Sequence, residues 1–159
     1  MEKLKIEIPS LPDAEDVALF FQSVHDENIT KCPTLKETRR PAMNFVFLRD
    51  DHGSLRGAAA ITFSYDLVWI DSIWIEPSLR RLGHGRALYE AIEDLAYVQK
   101  KRRAILSTFE FQNAVSFWES LGFVRFGEVA GLTEGTGLTY LFKEIRGDNR
   151  PRKRSSSSI

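Results

Sequence analysis

Two hydrophobic periods run along this chain, and the switches between them mark its elements. Leu4, Ile6 and Ile8 alternate with Lys3, Lys5 and Glu7, the period of a half-buried strand. Val17, Phe20, Phe21 and Val24 then recur at helical spacing behind Pro12 and Asp13, residues that suit a helix start. Residues 26–42 are polar and contain Pro33 and Pro41, which predicts a loop with at most a short helix. Strands follow at residues 44–49, 54–64 and 67–75, the first two joined by an Asp50-Asp51-His52-Gly53 turn. Leu88, Ala91, Ile92, Leu95 and Val98 predict an amphipathic helix from Gly85 to about Gln99. Ala104-Ile105-Leu106 reads as a short buried strand. Ala114, Phe117, Trp118 and Leu121 share one face of a helix over 113–121, and strands at 123–129 and 138–145 close the pattern. The polar tail over 147–159 ends in four serines and an isoleucine and reads as disordered. The expected organisation is one domain over residues 1–146 and a tail over 147–159.

Composition narrows the class. A chain of 159 residues with 43% hydrophobic residues can bury a full core, which excludes a disordered protein. Its apolar runs are too short for a membrane span, and no apolar stretch follows Met1 as in a signal peptide. The single Cys32 cannot form an internal disulfide. These features lead us to expect a soluble cytoplasmic protein that binds no membrane. His25 and His52 show no metal-ligand spacing, so no metal site is expected. Net charge is zero, but the tail from Arg146 carries five basic residues against Asp148, a net of +4, leaving −4 on the rest. An acidic body suits a cationic substrate. The basic tail suits phosphates, but a solvated charge run is the commoner meaning of such a tail, so nucleic acid is not the expected partner.

The chemistry concentrates between the third strand and the helix behind it. Arg80-Arg81-Leu82-Gly83-His84-Gly85-Arg86 links a strand to a helix, and its glycines allow a sharp turn and close approach of a ligand to backbone. The first amides of the helix lack intrahelical partners and, with the helix dipole, make an anion site. Three arginines surround it. A Walker loop is excluded because no Lys followed by Ser or Thr succeeds either glycine. A dinucleotide fingerprint requires glycine where Leu88 stands. What remains is Arg-x-x-Gly-x-Gly at Arg80, Gly83 and Gly85.

That loop resembles the acetyl-CoA loop of the GCN5-related N-acetyltransferase superfamily. A second block supports the likeness: Asn113-Ala114-Val115-Ser116-Phe117-Trp118-Glu119-Ser120-Leu121-Gly122-Phe123 is similar to that family's later Ala-x-x-Phe-Tyr-x-x-x-Gly-Phe/Tyr motif, matched at Ala114, Phe117, Gly122 and Phe123. The resemblance implies an α+β, three-layer fold with a mixed, mostly antiparallel sheet of about six to seven strands and helices on both faces. It implies acetyl-CoA as co-substrate and a primary amine as acceptor. Loop residues Arg80, Arg81, Leu82, Gly83, His84, Gly85 and Arg86 would hold the pyrophosphate, Ile73, Trp74 and Ile75 the pantetheine arm, and Asn113 and Phe117 would complete the coenzyme site. Pairing of family members through C-terminal strands leaves a homodimer open.

Acetyl transfer needs a base for the amine and a cradle for the oxyanion. Asp71, inside an apolar run on the strand before the loop, is the first candidate base; desolvation would raise its pKa. Glu110, at the mouth of the following strand, is the second. The sequence departs from the family at Trp118, where many members place the Tyr that protonates the departing thiolate. Tyr89 and Tyr140 are the candidate substitutes, and core packing is the alternative role of Trp118. The departure keeps a second function open, a non-catalytic acyl-CoA-binding module of the same fold.

Overall fold

A computed structural model of the chain describes residues 5–33, 43–133 and 135–145. They divide into two compact units, one within residues 1–40 and one beginning at Pro41. The tail over 147–159 lies outside the described residues, as do Leu4 and most of the proline-containing segment before Met43.

The first unit carries one helix, α1 (Ala14–Lys31). Asp13 caps it by accepting a hydrogen bond from the Glu15 amide at 2.7 Å. Acidic residues Glu15 and Asp16 in its first turn and Lys31 in its last turn suit the helix dipole. Two expectations are corrected here. The alternation at Lys5 to Ile8 forms no strand, and Ile6 and Ile8 are exposed. Alternation states which face a strand would bury; a strand also requires a ladder for its backbone groups, and this segment joins none. The polar stretch from Asp26 begins as helix, not loop. Its residues stay helical to Lys31, helped by the Thr30 hydroxyl, which donates to the Asp26 carbonyl at 2.7 Å.

The second unit is a six-stranded sheet with two helices. Its elements are β1 (Met43–Arg49), β2 (Leu55–Ser64), β3 (Leu67–Ile75), α2 (His84–Val98), β4 (Arg103–Phe109), α3 (Val115–Ser120), β5 (Val124–Thr133) and β6 (Thr136–Glu144). The strand order is β1-β2-β3-β4-β6-β5. Every neighbouring pair is antiparallel except β3 and β4, which run parallel because α2 carries the chain across between them. The fold is thus α+β with a mixed, mostly antiparallel sheet, as expected.

Alternation on the strands sends one set of side chains into a single core. Ala59 and Ile61 of β2, Val68 and Ile70 of β3, Ala104 and Leu106 of β4 and Leu141 of β6 form one layer. Tyr89, Ile92 and Ala96 of α2 cover it, together with Trp118, Leu121 and Phe123. Of the face read from the sequence, Leu88 and Ile92 are buried and Ala91 and Leu95 half-buried, but Val98 is exposed, and Tyr89 and Ala96 take its place in the core.

Candidate active site

The site begins where two strands part. β3 and β4 pair only from Leu67 with Arg103 to Ile70 with Leu106. Beyond that point β3 continues for five residues, paired with β2 alone. Ala60 pairs with Ser72 while Ile61 pairs with Ile70, so Asp71 is the extra residue of a β-bulge. Bulges re-aim side chains next to functional sites. The bulge was legible in the apolar spacing: Val68 and Ile70 step by two, Ile73 and Ile75 step by two, and the step between the sets is three.

The direction of each backbone group on β3 follows from one hydrogen bond. The Glu76 amide donates to the Arg56 carbonyl at 2.9 Å, so residue 76 faces β2. Backbone groups alternate sides along a strand. Ser72 and Trp74 therefore also face β2, while Ile73 and Ile75 turn their N–H and C=O groups into the gap beside β4. Trp74 instead exposes its indole on the surface.

At the open end of the gap lies the loop. A 3-10 turn at Pro77–Leu79 leads into Arg80, whose Nε donates to the Ile75 carbonyl at 3.0 Å. Arg81 adopts a left-handed conformation at φ 63°, which costs a non-glycine residue about 1–2 kcal/mol. Leu82 is exposed. Gly83, also left-handed at φ 90°, caps α2 without a side-chain hydrogen bond. Its carbonyl accepts from the Ala87 amide at 3.0 Å. The amides of His84, Gly85 and Arg86 precede that first helical bond and have no intrahelical partner. The first turn of α2 carries no acidic side chain. The helix starts at His84, three residues before its first apolar position, because the glycine turn sets the boundary. At Gly85 the chain passes Phe117 so closely that a Cβ would lie 3.2 Å from the ring. Gly85 and Phe117 thus join α2 to α3 under the loop.

The two candidate bases stand on opposite arms of the gap. Asp71 is exposed at its apex, with Oδ2 accepting from the Thr62 hydroxyl at 2.7 Å. Glu110 opens a 3-10 turn at the end of β4, and its Oε2 accepts from the Gly137 amide at 3.1 Å. A Cβ at Gly137 would lie 2.8 Å from Glu110 Oε1, so any larger residue would push the Glu110 carboxylate aside. The turn is held by Gln112, whose Oε1 accepts from the Phe109 amide at 2.9 Å and the Thr108 hydroxyl at 2.8 Å. Asn113 ends it in a left-handed conformation, its Nδ2 donating to the Phe111 carbonyl at 3.2 Å. The last two strands run past the bounds expected at 129 and 138, since β5 extends to Thr133 and β6 begins at Thr136.

Trp118 and Tyr89 belong to the core. They are 3% and 2% exposed and meet edge to face at 6.1 Å, with Phe123 packed on both. The Tyr89 hydroxyl donates to Glu93 Oε1 at 3.1 Å, and Lys143 Nζ donates to the same oxygen at 2.7 Å. Burial first, then the Glu93 charge and hydrogen bond, push the Tyr89 hydroxyl far above the ordinary tyrosine range. As a substitute acid Tyr89 is therefore corrected, since its proton is held inside the core. Tyr140 is half-buried on β6 and packs on Phe126 at 6.0 Å. Sequence reasoning missed Thr62, Gln112 and Lys143. The four-residue step from Tyr89 to Glu93 was readable, but nothing in the sequence pointed to Lys143, fifty positions on.

A sheet that parts beside a helix N-terminus defines an acetyltransferase-like site. The family model of the acetyltransferase (GNAT) family matches residues 9–123. The chain belongs to that family, whose co-substrate is acetyl-CoA. Among solved structures, an acetyltransferase from Bacillus cereus is similar at TM-score 0.70 and 20% identity, over 87% of this chain and 97% of that one. The ribosomal-protein-S18-alanine N-acetyltransferase from Escherichia coli is similar at TM-score 0.59 and 20% identity, over 89% and 84%. A Bacillus anthracis protein in complex with acetyl coenzyme A is similar at TM-score 0.58 and 20% identity, over 66% and 64%. No curated protein matches by sequence. No described helix is long and apolar enough to cross a membrane.

Proposed function

We propose that the chain is an acetyl-CoA-dependent N-acetyltransferase that moves an acetyl group to a primary amine of a small molecule or peptide. The observation that carries this reading is the parting of β3 and β4 beyond Ile70, a gap whose open end leads to the amide-lined start of α2. An extended pantetheine arm fits the open edge of β3 as an added strand, paired to Ile73 and Ile75. The pyrophosphate fits over the amides of His84, Gly85 and Arg86, with Arg81 and Arg86 supplying positive charge. Phe117 of α3 supports that start of the helix at Gly85, and Asn113, just before α3, completes the coenzyme site. The reactive end of the arm then falls near the apex, at Asp71.

There the amine transfers a proton to the Asp71 carboxylate, directly or through water, and its lone pair attacks the thioester carbon. The developing oxyanion is stabilised by a backbone amide of the open strand. The C–N bond forms, the C–S bond breaks, and coenzyme A leaves as the thiolate. Holding amine and thioester together supplies much of the acceleration, as effective molarity contributes roughly 7–11 kcal/mol in favourable cases. Glu110, tied to the Gly137 amide, serves better to shape the acceptor side than to move protons.

The burial of Trp118 and Tyr89 favours one alternative. Neither can protonate the thiolate, so a non-catalytic acyl-CoA-binding module is the second reading. A thermal melt with acetyl-CoA, followed by turnover with a panel of amines, separates the two. A raised melting temperature with acetylated product supports the enzyme, and Asp71→Asn should then slow turnover by about 10²-fold or more. Binding without turnover on any amine supports the module. No shift at millimolar acetyl-CoA refutes both.

A further inference from the structure

Three arginines surround the loop, but one of them is already committed. Arg80 Nε donates to the Ile75 carbonyl at 3.0 Å. That carbonyl is one of the few acceptors β3 turns into the gap beside β4, since Glu76 and Trp74 face β2. A planar guanidinium bound through Nε has a fixed orientation, and a charged donor makes the stronger kind of hydrogen bond. The Arg80 amide is also engaged, donating to Pro77 at 3.3 Å, so backbone and side chain both belong to the turn.

We propose that Arg80 is a positioning residue that sets the register of the acyl-pantetheine arm, and not a ligand of the pyrophosphate. This rests on the reading that the arm lies along the open edge of β3. With the Arg80 guanidinium seated on the Ile75 carbonyl, an arm pairs unhindered with the N–H and C=O of Ile73 and with the N–H of Ile75, and beyond that its donor would have to share the carbonyl with Arg80. Arg80 therefore ends the strand-like pairing at one fixed residue, where the ligand leaves β3 for the glycine turn. Fixing that end fixes where the thioester falls at the other, beside Asp71. An arm slipped along the strand would carry its carbonyl away from the base. A displacement of about 1 Å in such a geometry costs about 10²-fold in rate.

The test compares two acyl donors on the full chain: acetyl-CoA, and S-acetylpantetheine, which has the arm and thioester but no pyrophosphate. Arg80→Met removes donor and charge; Arg80→Lys keeps the charge but loses the Nε–H. Apo melting temperatures show whether each variant folds, which the exposed position of Arg80 allows. The expected result is that both variants lose turnover with both donors by a similar factor, about 10²-fold, and lose it in kcat more than in KM. Weaker binding of acetyl-CoA alone, with Arg80→Lys retaining it, would make Arg80 a phosphate ligand and overturn the proposal. Unchanged turnover with both donors would overturn it as well. Arg81→Gln tests the underlying placement separately, because it should weaken acetyl-CoA and leave S-acetylpantetheine alone. A wild-type chain that ignores acetyl-CoA would remove the coenzyme reading itself.

Discussion

Gly83 permits a test in which stability and ligand affinity move in opposite directions. Its backbone sits at φ 90° and ψ −8°, and a Cβ there would meet nothing within 4 Å. Gly83→Ala therefore introduces no clash, and its cost is the left-handed conformation alone, about 1–2 kcal/mol. For a domain of this size that lowers the melting temperature by roughly 2–8 °C. Asparagine tolerates the same conformation and is among the best helix caps, so Gly83→Asn should restore much of the loss. Its side chain does so by accepting a hydrogen bond from the Gly85 or Arg86 amide, one of the groups the pyrophosphate needs. A cap bond of about 1 kcal/mol in competition with the ligand corresponds to roughly fivefold weaker acetyl-CoA binding. The assay is a melt of wild type, Gly83→Ala and Gly83→Asn, each with and without acetyl-CoA. Gly83→Asn should be more stable than Gly83→Ala when free yet gain less from the coenzyme than wild type. If asparagine raises both apo stability and affinity, the helix amides are not the phosphate site. If alanine costs nothing, the left-handed cap is wrong.

The Tyr89 hydroxyl stays protonated in the folded chain well beyond its ordinary range, so the folded state holds a proton that the unfolded chain releases near pH 10. Stability from this group is fully present below pH 10 and falls by about 1.4 kcal/mol for each pH unit above it; urea unfolding of wild type against Tyr89→Phe should show that slope in wild type only. The same variant should retain turnover within about threefold, since a proton held by Glu93 takes no part in acyl transfer; a loss of about 10²-fold would restore Tyr89 as the acid. Gly137→Ala should displace Glu110, because a Cβ would lie 2.8 Å from Oε1. If Glu110 shapes the acceptor side, the variant raises the KM for the amine and leaves that for acetyl-CoA unchanged, and a change confined to acetyl-CoA would contradict that role.

The loop and helices were legible because their signals are local. Two glycines among arginines, behind an apolar strand and ahead of a helical period, leave few other structures. The parallel pairing of β3 with β4 follows from the same spacing, since α2 between them requires a crossover, but the place of β6 between β4 and β5 does not. Other features depend on residues that meet only after folding. Lys143 reaches Glu93 across fifty positions, and Glu110 reaches the Gly137 amide across twenty-seven. The expected first strand is absent over its described residues, Lys5 to Ile8, for a related reason: alternation cannot say whether a partner ladder exists. Trp118 was readable as core or as chemistry, and only its contacts with Tyr89 and Phe123 decide for core. Arg80 was counted with the charged rim because composition does not reveal which way a guanidinium points.

The short parallel pairing of β3 and β4 also has a mechanical meaning. It divides the sheet into two antiparallel blocks, β1-β2-β3 and β4-β6-β5, stitched by the few residue pairs from Leu67 to Ile70. That stitch is a seam, and a seam is where cooperativity between blocks is weakest. A ligand lying in the opening beyond Ile70 bridges the blocks along the line where the backbone does not. Amide exchange would see this as two regions that open separately in the free chain and together when acetyl-CoA is bound, so the coenzyme would act as the stitching that makes one cooperative body of two.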